Sequence, residues 1–409
     1  MALVDDADVV KRLVALADEL SDAGKLRSPQ WRQAFLAVRR HVFVPRFWHD
    51  EESGTFPARW RMVDGATRDH QEWWNAVYSD RTLATDLTAA PGDEGWMHPQ
   101  VTSSTTMPGL MLAMLEDLDV TDGMRILEIG TGAGYTAALL CERLGDTHVT
   151  TIDIDPELVA LATLRLADHG YRPTVVCGDG AQGVPSAAPF DRIIATCGMD
   201  HIPPAWIDQC RDGAKILANL RGPFDAWPLV LLTVENGTAS GTFLSRSGAF
   251  MPRRTDPTEP FDYRTTIHTR RVEPARTHSL LDPALASSHR GWGQLAQQHL
   301  RGMTCQQVYA PDSEGLITQI ATPDGSSWAF AHHTADRNQG HLVEQEGPRR
   351  LWDELETLHE QWTLLGSPSL ERFGLTISRD SPPVLWLDHP DSGHLWPSDE
   401  PQVVEAPTK

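Results

Sequence analysis

An apolar strand, Arg125-Ile126-Leu127-Glu128-Ile129, runs directly into Gly130-Thr131-Gly132-Ala133-Gly134 and then into a helical pattern beginning at Tyr135. Three glycines in five positions at a strand-to-helix turn restrict the fold strongly. Glycine takes backbone conformations that side chains forbid and lets the turn approach a ligand with no Cβ in the way. The helix beyond it opens with unpaired N–H groups that suit an anionic group. About twenty residues on, Asp153 ends the next strand, where a carboxylate can accept hydrogen bonds from both hydroxyls of a ribose. A nucleoside site is therefore predicted. Read from Gly132, the turn also fits Gly-x-Gly-x-x-Ala, a dinucleotide fingerprint, so the glycines alone leave the nucleoside open.

The surrounding texture is α/β. Short apolar strands are expected at Arg125 to Ile129, His148 to Ile152, Thr174 to Cys177, Arg192 to Ala195, Ala214 to Leu220 and Leu229 to Val234, then an antiparallel one at Thr238 to Leu244. Helices fit between them at Tyr135 to Arg143, Pro156 to His169 and Pro204 to Gln209, the alternation of a sheet with parallel crossovers. Upstream, Val9, Val10, Leu13, Leu16, Ala17 and Leu20 predict an amphipathic helix ending near Gly24, and Gln30 to Arg40 a second.

With 409 residues, several domains are expected. These are an N-terminal helical flank with a substrate-side loop (1–100), a cofactor-binding domain (101–254), a linker (255–280) and a small α+β C-terminal domain (281–409) with a role in peptide recognition. Pro252-Arg253-Arg254 and Thr269-Arg270-Arg271 mark the loss of periodicity at the linker. Beyond it, short strands around Gln306 to Tyr309, Leu316 to Ala321 and Trp328 to His332, with a Pro-Asp-Gly turn at 323–325, form a separate unit. A helix opening at Pro348 carries Leu351, Leu355, Leu358, Trp362 and Leu365 as one apolar stripe.

Glu128 two residues before Gly130, Asp153 at the second strand end and Cys177-Gly178-Asp179-Gly180 at the third match the ordered motifs of class I methyltransferases, which the sequence resembles. The resemblance implies S-adenosyl-L-methionine as cofactor, S-adenosyl-L-homocysteine as product and a Rossmann-like, seven-stranded, mostly parallel sheet. It assigns Asp153 to the ribose and Asp179 to the adenine amino group. Glu128, Gly130, Thr131, Gly132, Gly134, Ile154, Gly178, Gly180 and Thr196 complete the candidate cofactor set. For Asp179 the plainer alternative is a turn residue, and Asp155 and Glu157 read as N-cap and first-turn carboxylate of the next helix.

The flanks narrow the family. Phe35-Leu36-Ala37-Val38-Arg39-Arg40-His41-Val42-Phe43-Val44-Pro45 and Tyr78-Ser79-Asp80-Arg81 resemble segments of the protein L-isoaspartate O-methyltransferases. So do Val101 to Met111 and the closing Gly248-Ala249-Phe250-Met251-Pro252. Three features depart from that family: Thr106 stands where its serine would be, Trp227-Pro228 replaces a glutamine, and residues 84–100 enlarge a loop. With the C-terminal extension, the chain resembles members found in actinobacterial clusters that make ribosomal peptides, graspetides or lanthipeptides.

The implied acceptor is a carboxylate. It is ionised at neutral pH, so it needs positioning and exclusion of water in place of a strong base. Thr106, helped by Ser103 or Ser104, is expected to orient it or to lie between it and the cofactor. The alternative for Thr106 is an N-cap before Pro108. Three functions follow: aspartyl methylation of a cyclised ribosomal precursor leading to aspartimide, isoaspartate repair, and a catalytically silent cofactor-binding partner that presents a peptide to another enzyme.

Other classes are disfavoured. A formal charge of −21 repels phosphate backbones, which argues against nucleic acid. No apolar run approaches the ~20 residues of a membrane span, and the acidic Met1 to Asp8 is unlike a secretory signal, so the cytoplasm is expected. Five scattered cysteines suggest reduced thiols, and His332-His333 with His341 lack nearby partners in sequence for a metal. Trp73-Trp74 reads as packing, and the arginines from Arg253 to Arg276 as a solvated linker.

Overall fold

The computed structural model describes residues 6–51, 59–67, 70–91, 97–222, 224, 227–257, 274–309, 315–333 and 340–397. The flank begins with α1 (Asp6–Asp22), α2 (Pro29–Ala37) and the one-turn α3 (Arg40–Phe43). Val9, Leu13, Leu16, Ala17 and Leu20 are buried on one face of α1, as their spacing requires. Ser28 caps α2, its side chain accepting from the Trp31 N–H with Pro29 at the first helical position.

The flank is not only helical. β1 (Arg46–Asp50), β2 (Trp60–Asp64), β3 (Leu83–Pro91) and β4 (Met97–Thr105) form an antiparallel sheet of order β2-β1-β3-β4, with α4 (His70–Val77) between β2 and β3. The segment 84–100, expected as an enlarged loop, is therefore largely the β3–β4 hairpin. Its register shifts near Asp86, a bulge that period-two reading overlooks. Trp73 and Trp74 are buried in α4, and their indole N–H groups donate to the Val44 carbonyl at 2.8 Å and to Asp8 Oδ2 at 2.7 Å.

After α5 (Pro108–Asp117) the α/β segment follows: β5 (Ile126–Ile129), α6 (Tyr135–Leu144), β6 (Val149–Asp153), α7 (Pro156–Asp168), β7 (Thr174–Cys177), β8 (Phe190–Met199), α8 (Pro204–Asp208), β9 (Cys210–Leu220), β10 (Pro228–Glu235) and β11 (Thr238–Ser247). β7-β6-β5-β8-β9 are parallel, and β10 and β11 close the seven as antiparallel neighbours. This is the expected class I methyltransferase arrangement, a sheet whose β5 and β8 strands are buried on both faces.

The sheet does not stop at seven. The C-terminal region runs β12 (Ala275–Ser279), α9 (Leu285–Ser288), α10 (Arg290–His299), β13 (Thr304–Tyr309), β14 (Leu316–Ala321), β15 (Trp328–His332), β16 (His341–Glu346), α11 (Leu351–Leu364), β17 (Phe373–Ser378), β18 (Val384–Leu387) and β19 (Leu395–Pro397). β12 to β16 make a five-stranded sheet, so the last residues expected as linker are a strand; the linker at 258–273 lies outside the described residues. β17 pairs with β11 and, with β18 and β19, extends the central sheet to ten strands. Trp292, Leu295, Leu351 and Leu355 share one core with Ile193, Ile216 and Val230 of that sheet. The separate unit expected from 281 onward thus fuses with the central layer. The open edge of β11 found its partner in β17, from the far end of the chain, whereas the apolar stripe of α11 packs within the C-terminal region against α10, β15 and β16.

Candidate active site

At the carboxyl ends of β5 and β6 the glycine turn adopts positive φ at Gly130 (101°), Gly132 (50°) and Gly134 (89°). A Cβ on Gly130 would sit 2.7 Å from Thr196 Oγ1, which itself donates to the carbonyls of Ile129 at 3.0 Å and Gly130 at 2.8 Å. Asp153 folds back onto the turn: Oδ2 accepts from the Gly132 N–H at 2.8 Å and Oδ1 from the Asp155 N–H at 3.2 Å. Burial pushes the Asp153 carboxyl above its ordinary range, opposed by those N–H groups and the Arg254 guanidinium. The turn forms one wall of a cavity of about 110 Å³.

The opposite wall is the end of β4 and the loop to α5. Ser103, Ser104 and Thr106 line the cavity together with Gly130, Thr131, Gly132, Asp153, Ile154, Gly180 and Thr196. An added Cβ at Gly132 would lie 3.8 Å from the Ser104 carbonyl and 3.9 Å from Ser103 Oγ, so the two walls face each other closely. Thr106 is not an N-cap. Met107 holds that position without a side-chain bond, and the first helical N–H, of Gly109, is taken by Asp80 Oδ1 at 2.6 Å. Lys25 pairs with the other Asp80 oxygen at 2.7 Å.

Four expected cofactor residues do not line the cavity, each for a physical reason. Glu128 is wholly buried behind the turn, where Thr151 Oγ1 donates to its Oε2 at 2.7 Å and in turn meets Thr131 Oγ1 at 2.6 Å. Burial pushes its carboxyl up to about 8. Gly134 is a packing glycine: an added Cβ would meet Ala162 Cβ of α7 at 3.3 Å. The Gly178 N–H continues the sheet to the Asp153 carbonyl at 2.9 Å. Asp179 Oδ1 accepts from the Ala181 N–H at 3.0 Å and from Arg253 Nη1 at 2.8 Å, so the expected adenine partner is here a turn cap in an ion pair. Asp155 caps α7 as expected.

Reading the sequence missed Thr102, Thr105, Tyr135, Cys197, Arg253 and Arg254, all on the cavity wall. Arg253 and Arg254 are not solvated linker. Backbone bonds from the Gly198 N–H to the Met251 carbonyl (2.7 Å) and from the Arg253 N–H to the Gly198 carbonyl (2.8 Å) lay this segment along the end of β8. Arg253 thereby reaches Asp179, and Arg254 reaches Asp155 Oδ2 at 3.1 Å. Their signal was position, directly after Phe250-Met251-Pro252, and not charge.

Arg40 supplies the tie between flank and site. It is 1% exposed, and its Nη2 donates to the carbonyls of Arg81 (2.9 Å), Thr105 (3.3 Å) and Thr106 (3.1 Å). Nη1 donates to those of Val77 (3.0 Å) and Ser79 (3.2 Å). Burial pushes Arg40 down to about 10, still protonated at neutral pH. Trp227 lies away from the cavity lining, with Arg221 Cζ 5.7 Å from its ring. In the C-terminal sheet, strand pairing brings Glu344 to 3.3 Å from His332 Nε2, a neighbour the sequence did not reveal, and His333 Nε2 meets Thr318 Oγ1 at 2.8 Å. Among the described residues no group of three potential ligands gathers to hold a metal, and no helix is long and apolar enough to cross a membrane.

The cavity suits the expected cofactor on its own terms. Its turn brings backbone close through positive φ, Asp153 supplies an acceptor pair, and two buried hydroxyls on its wall, Thr105 Oγ1 and Tyr135 Oη, have no hydrogen-bond partner. Comparison with known proteins agrees. Residues 73–224 match the family described as protein-L-isoaspartate(D-aspartate) O-methyltransferase. A protein-L-isoaspartate O-methyltransferase of Thermococcus onnurineus is 31% identical over 227 residues, 55% of this chain and 84% of the relative. That of Thermococcus sibiricus is 28% identical over 257 residues, 61% of this chain and 96% of the relative. A solved structure of the same name, 19% identical, superposes with a TM-score of 0.51 over 92% of this chain and 99% of its own. That span takes in the C-terminal region, so the extended fold also occurs in a protein of that name. The chain belongs to the protein-L-isoaspartate O-methyltransferase family of S-adenosylmethionine-dependent carboxyl methyltransferases.

Proposed function

We propose that this chain methylates the free α-carboxylate of isoaspartyl residues in peptides or proteins. One observation carries the reading: a nucleoside-type wall, Gly130 to Gly134 with Asp153, faces a hydroxyl-bearing wall, Ser103 to Thr106, across a single cavity. S-adenosylmethionine, when bound, supplies an electrophilic methyl group on sulfur.

The residues of this chain do the remaining work. Asp153 would accept from the ribose hydroxyls of the cofactor, with Ile154 beside it on the cavity wall. Thr106, with Ser104 and Ser103 beside it, holds the acceptor oxygen in line. No base is required, because the carboxylate is already ionised. Arg40 fixes the carbonyls of Thr105 and Thr106, so the hydroxyls are positioned before the peptide arrives. In the product, the following backbone nitrogen attacks the ester carbonyl, methanol leaves, and the imide hydrolyses toward aspartate.

A second reading has its own support. Thr106, the adjacent Thr105 and the long β3–β4 hairpin reshape the acceptor side, where Thr102 Oγ1 donates to Asp86 and Thr85 Oγ1 to Ser103, each at 2.8 Å. A reshaped wall suits an aspartyl side chain in a cyclised ribosomal precursor, where the ester would close to an aspartimide. Mass spectrometry after incubation with S-adenosylmethionine separates the two. Gain of one methyl and then loss of methanol on an isoaspartyl peptide supports repair, and the same pattern confined to a cyclised precursor would move the function to peptide maturation. Cofactor binding without transfer to either would leave the chain as a silent binding partner.

A further inference from the structure

We infer that Thr105, one position before the expected orienting residue, is a carboxylate-binding donor of this site. The hydroxyls around it are engaged within the protein: Thr102 with Asp86, Ser103 with Thr85, Thr131 with Thr151, Thr196 with two carbonyls. Thr105 differs from these four. It is 5% exposed, it lines the cavity, and its Oγ1 is buried without a hydrogen-bond partner. Buried hydroxyls are ordinarily satisfied, and one that is not, on a cavity wall, is a group held ready for a ligand.

The backbone cannot carry this hydroxyl elsewhere. Arg40 Nη2 holds the Thr105 carbonyl at 3.3 Å, and the same guanidinium lies 5.8 Å from the ring of Tyr135, whose buried hydroxyl is also unpartnered. One buried cation thus lies close to both residues that carry an unpartnered hydroxyl. A hydroxyl donates one hydrogen and the Arg40 charge is close to both residues, so the complementary ligand atom is an anionic oxygen. Two carboxylates enter a site of this activity, that of the cofactor's amino-acid end and that of the acceptor. The inference rests on the carboxyl methyl-transfer reading.

The test is calorimetric, on the full chain with Thr105→Val and Thr105→Ser. S-adenosylhomocysteine and methylthioadenosine, which lacks the amino-acid end, are titrated first, then an isoaspartyl peptide onto protein saturated with S-adenosylhomocysteine. Loss of one charged hydrogen bond weakens binding about tenfold to a hundredfold. Weakening for S-adenosylhomocysteine but not for methylthioadenosine places the cofactor carboxylate on Thr105; weakening for the peptide alone places the acceptor there. Serine restores affinity in either case, and the melting temperature of the ligand-free valine variant does not fall, because the hydroxyl bonds to nothing there. A valine variant within twofold of wild type for both ligands, or one that simply melts earlier, overturns the assignment. Failure of the wild type to bind S-adenosylhomocysteine would instead overturn the methyl-transfer reading, and the role of Thr105 with it.

Discussion

The cofactor wall comes from one short stretch, Ile126 to Asp153, in which a strand, a glycine turn, a helix and a second strand bond to one another. The facing wall, Thr102 to Thr106, is held by Arg40, which lies 65 residues from Thr105 in sequence, and by the β3–β4 pairing. The first wall can form as soon as its own neighbours fold. The second exists only once α3, α4 and the small sheet have docked, because the five carbonyls that Arg40 collects belong to two separate stretches, Val77 to Arg81 and Thr105 to Thr106. Local sequence can therefore vary the facing wall without altering the glycine turn or Asp153.

Four experiments press on that contrast. Gly130→Val is expected to abolish cofactor binding, since a positive φ of 101° and a Cβ 2.7 Å from Thr196 Oγ1 leave no relaxed conformation. Measurable S-adenosylhomocysteine affinity in a folded variant would show the turn to be more plastic than described. Arg40→Leu should cost about 3–5 kcal/mol of unfolding free energy, because five carbonyls lose a charged donor at once. In whatever fraction remains folded, the KM for peptide should rise more than the Kd for S-adenosylhomocysteine. Equal losses on both would contradict the independence of the two walls.

Glu128 gives a pH test behind the cofactor wall. Its ordinary value is 4.5 and burial raises it to about 8, so the folded state keeps a proton that the unfolded state has released. The unfolded state binds fewer protons across that window. Stability should therefore fall by a few kcal/mol as pH rises from about 4.5 to about 8 and level off above it. Glu128→Gln should flatten that slope, measured by denaturant unfolding at several pH values, and an unchanged slope would assign the dependence to other groups. The smallest effect is expected from Arg253→Ala. Its pair with Asp179 is partly exposed, so the variant should shift S-adenosylhomocysteine affinity by about threefold to tenfold. The direction shows whether Arg253 supports Asp179 or competes for it.

Where a residue's role depended on its immediate neighbours, the sequence was legible. Gly130 and Gly132 needed positive φ, Asp153 needed a strand end, and Asp155 needed a helix start, and all are local conditions. Glu128 and Asp179 were placed in a cofactor set by motif order, but the direction in which their side chains point depends on Thr151 and Arg253, which approach from other strands. Arg253 and Arg254 looked like linker because charge and proline are local signals of solvent, while the pairing with Gly198 that turns them inward is not local.

The sequence by itself determined the α/β alternation, the glycine turn and the family, because periodicity, glycine and strand-end carboxylates act over a few residues. Only the tertiary structure decided that β17 to β19 continue the central sheet, that 84–91 and 97–100 pair as antiparallel strands, and that Thr105, on the cavity lining, keeps a buried hydroxyl without a partner. Edge pairing, bulges and the satisfaction of buried polar groups are settled between segments far apart in the chain.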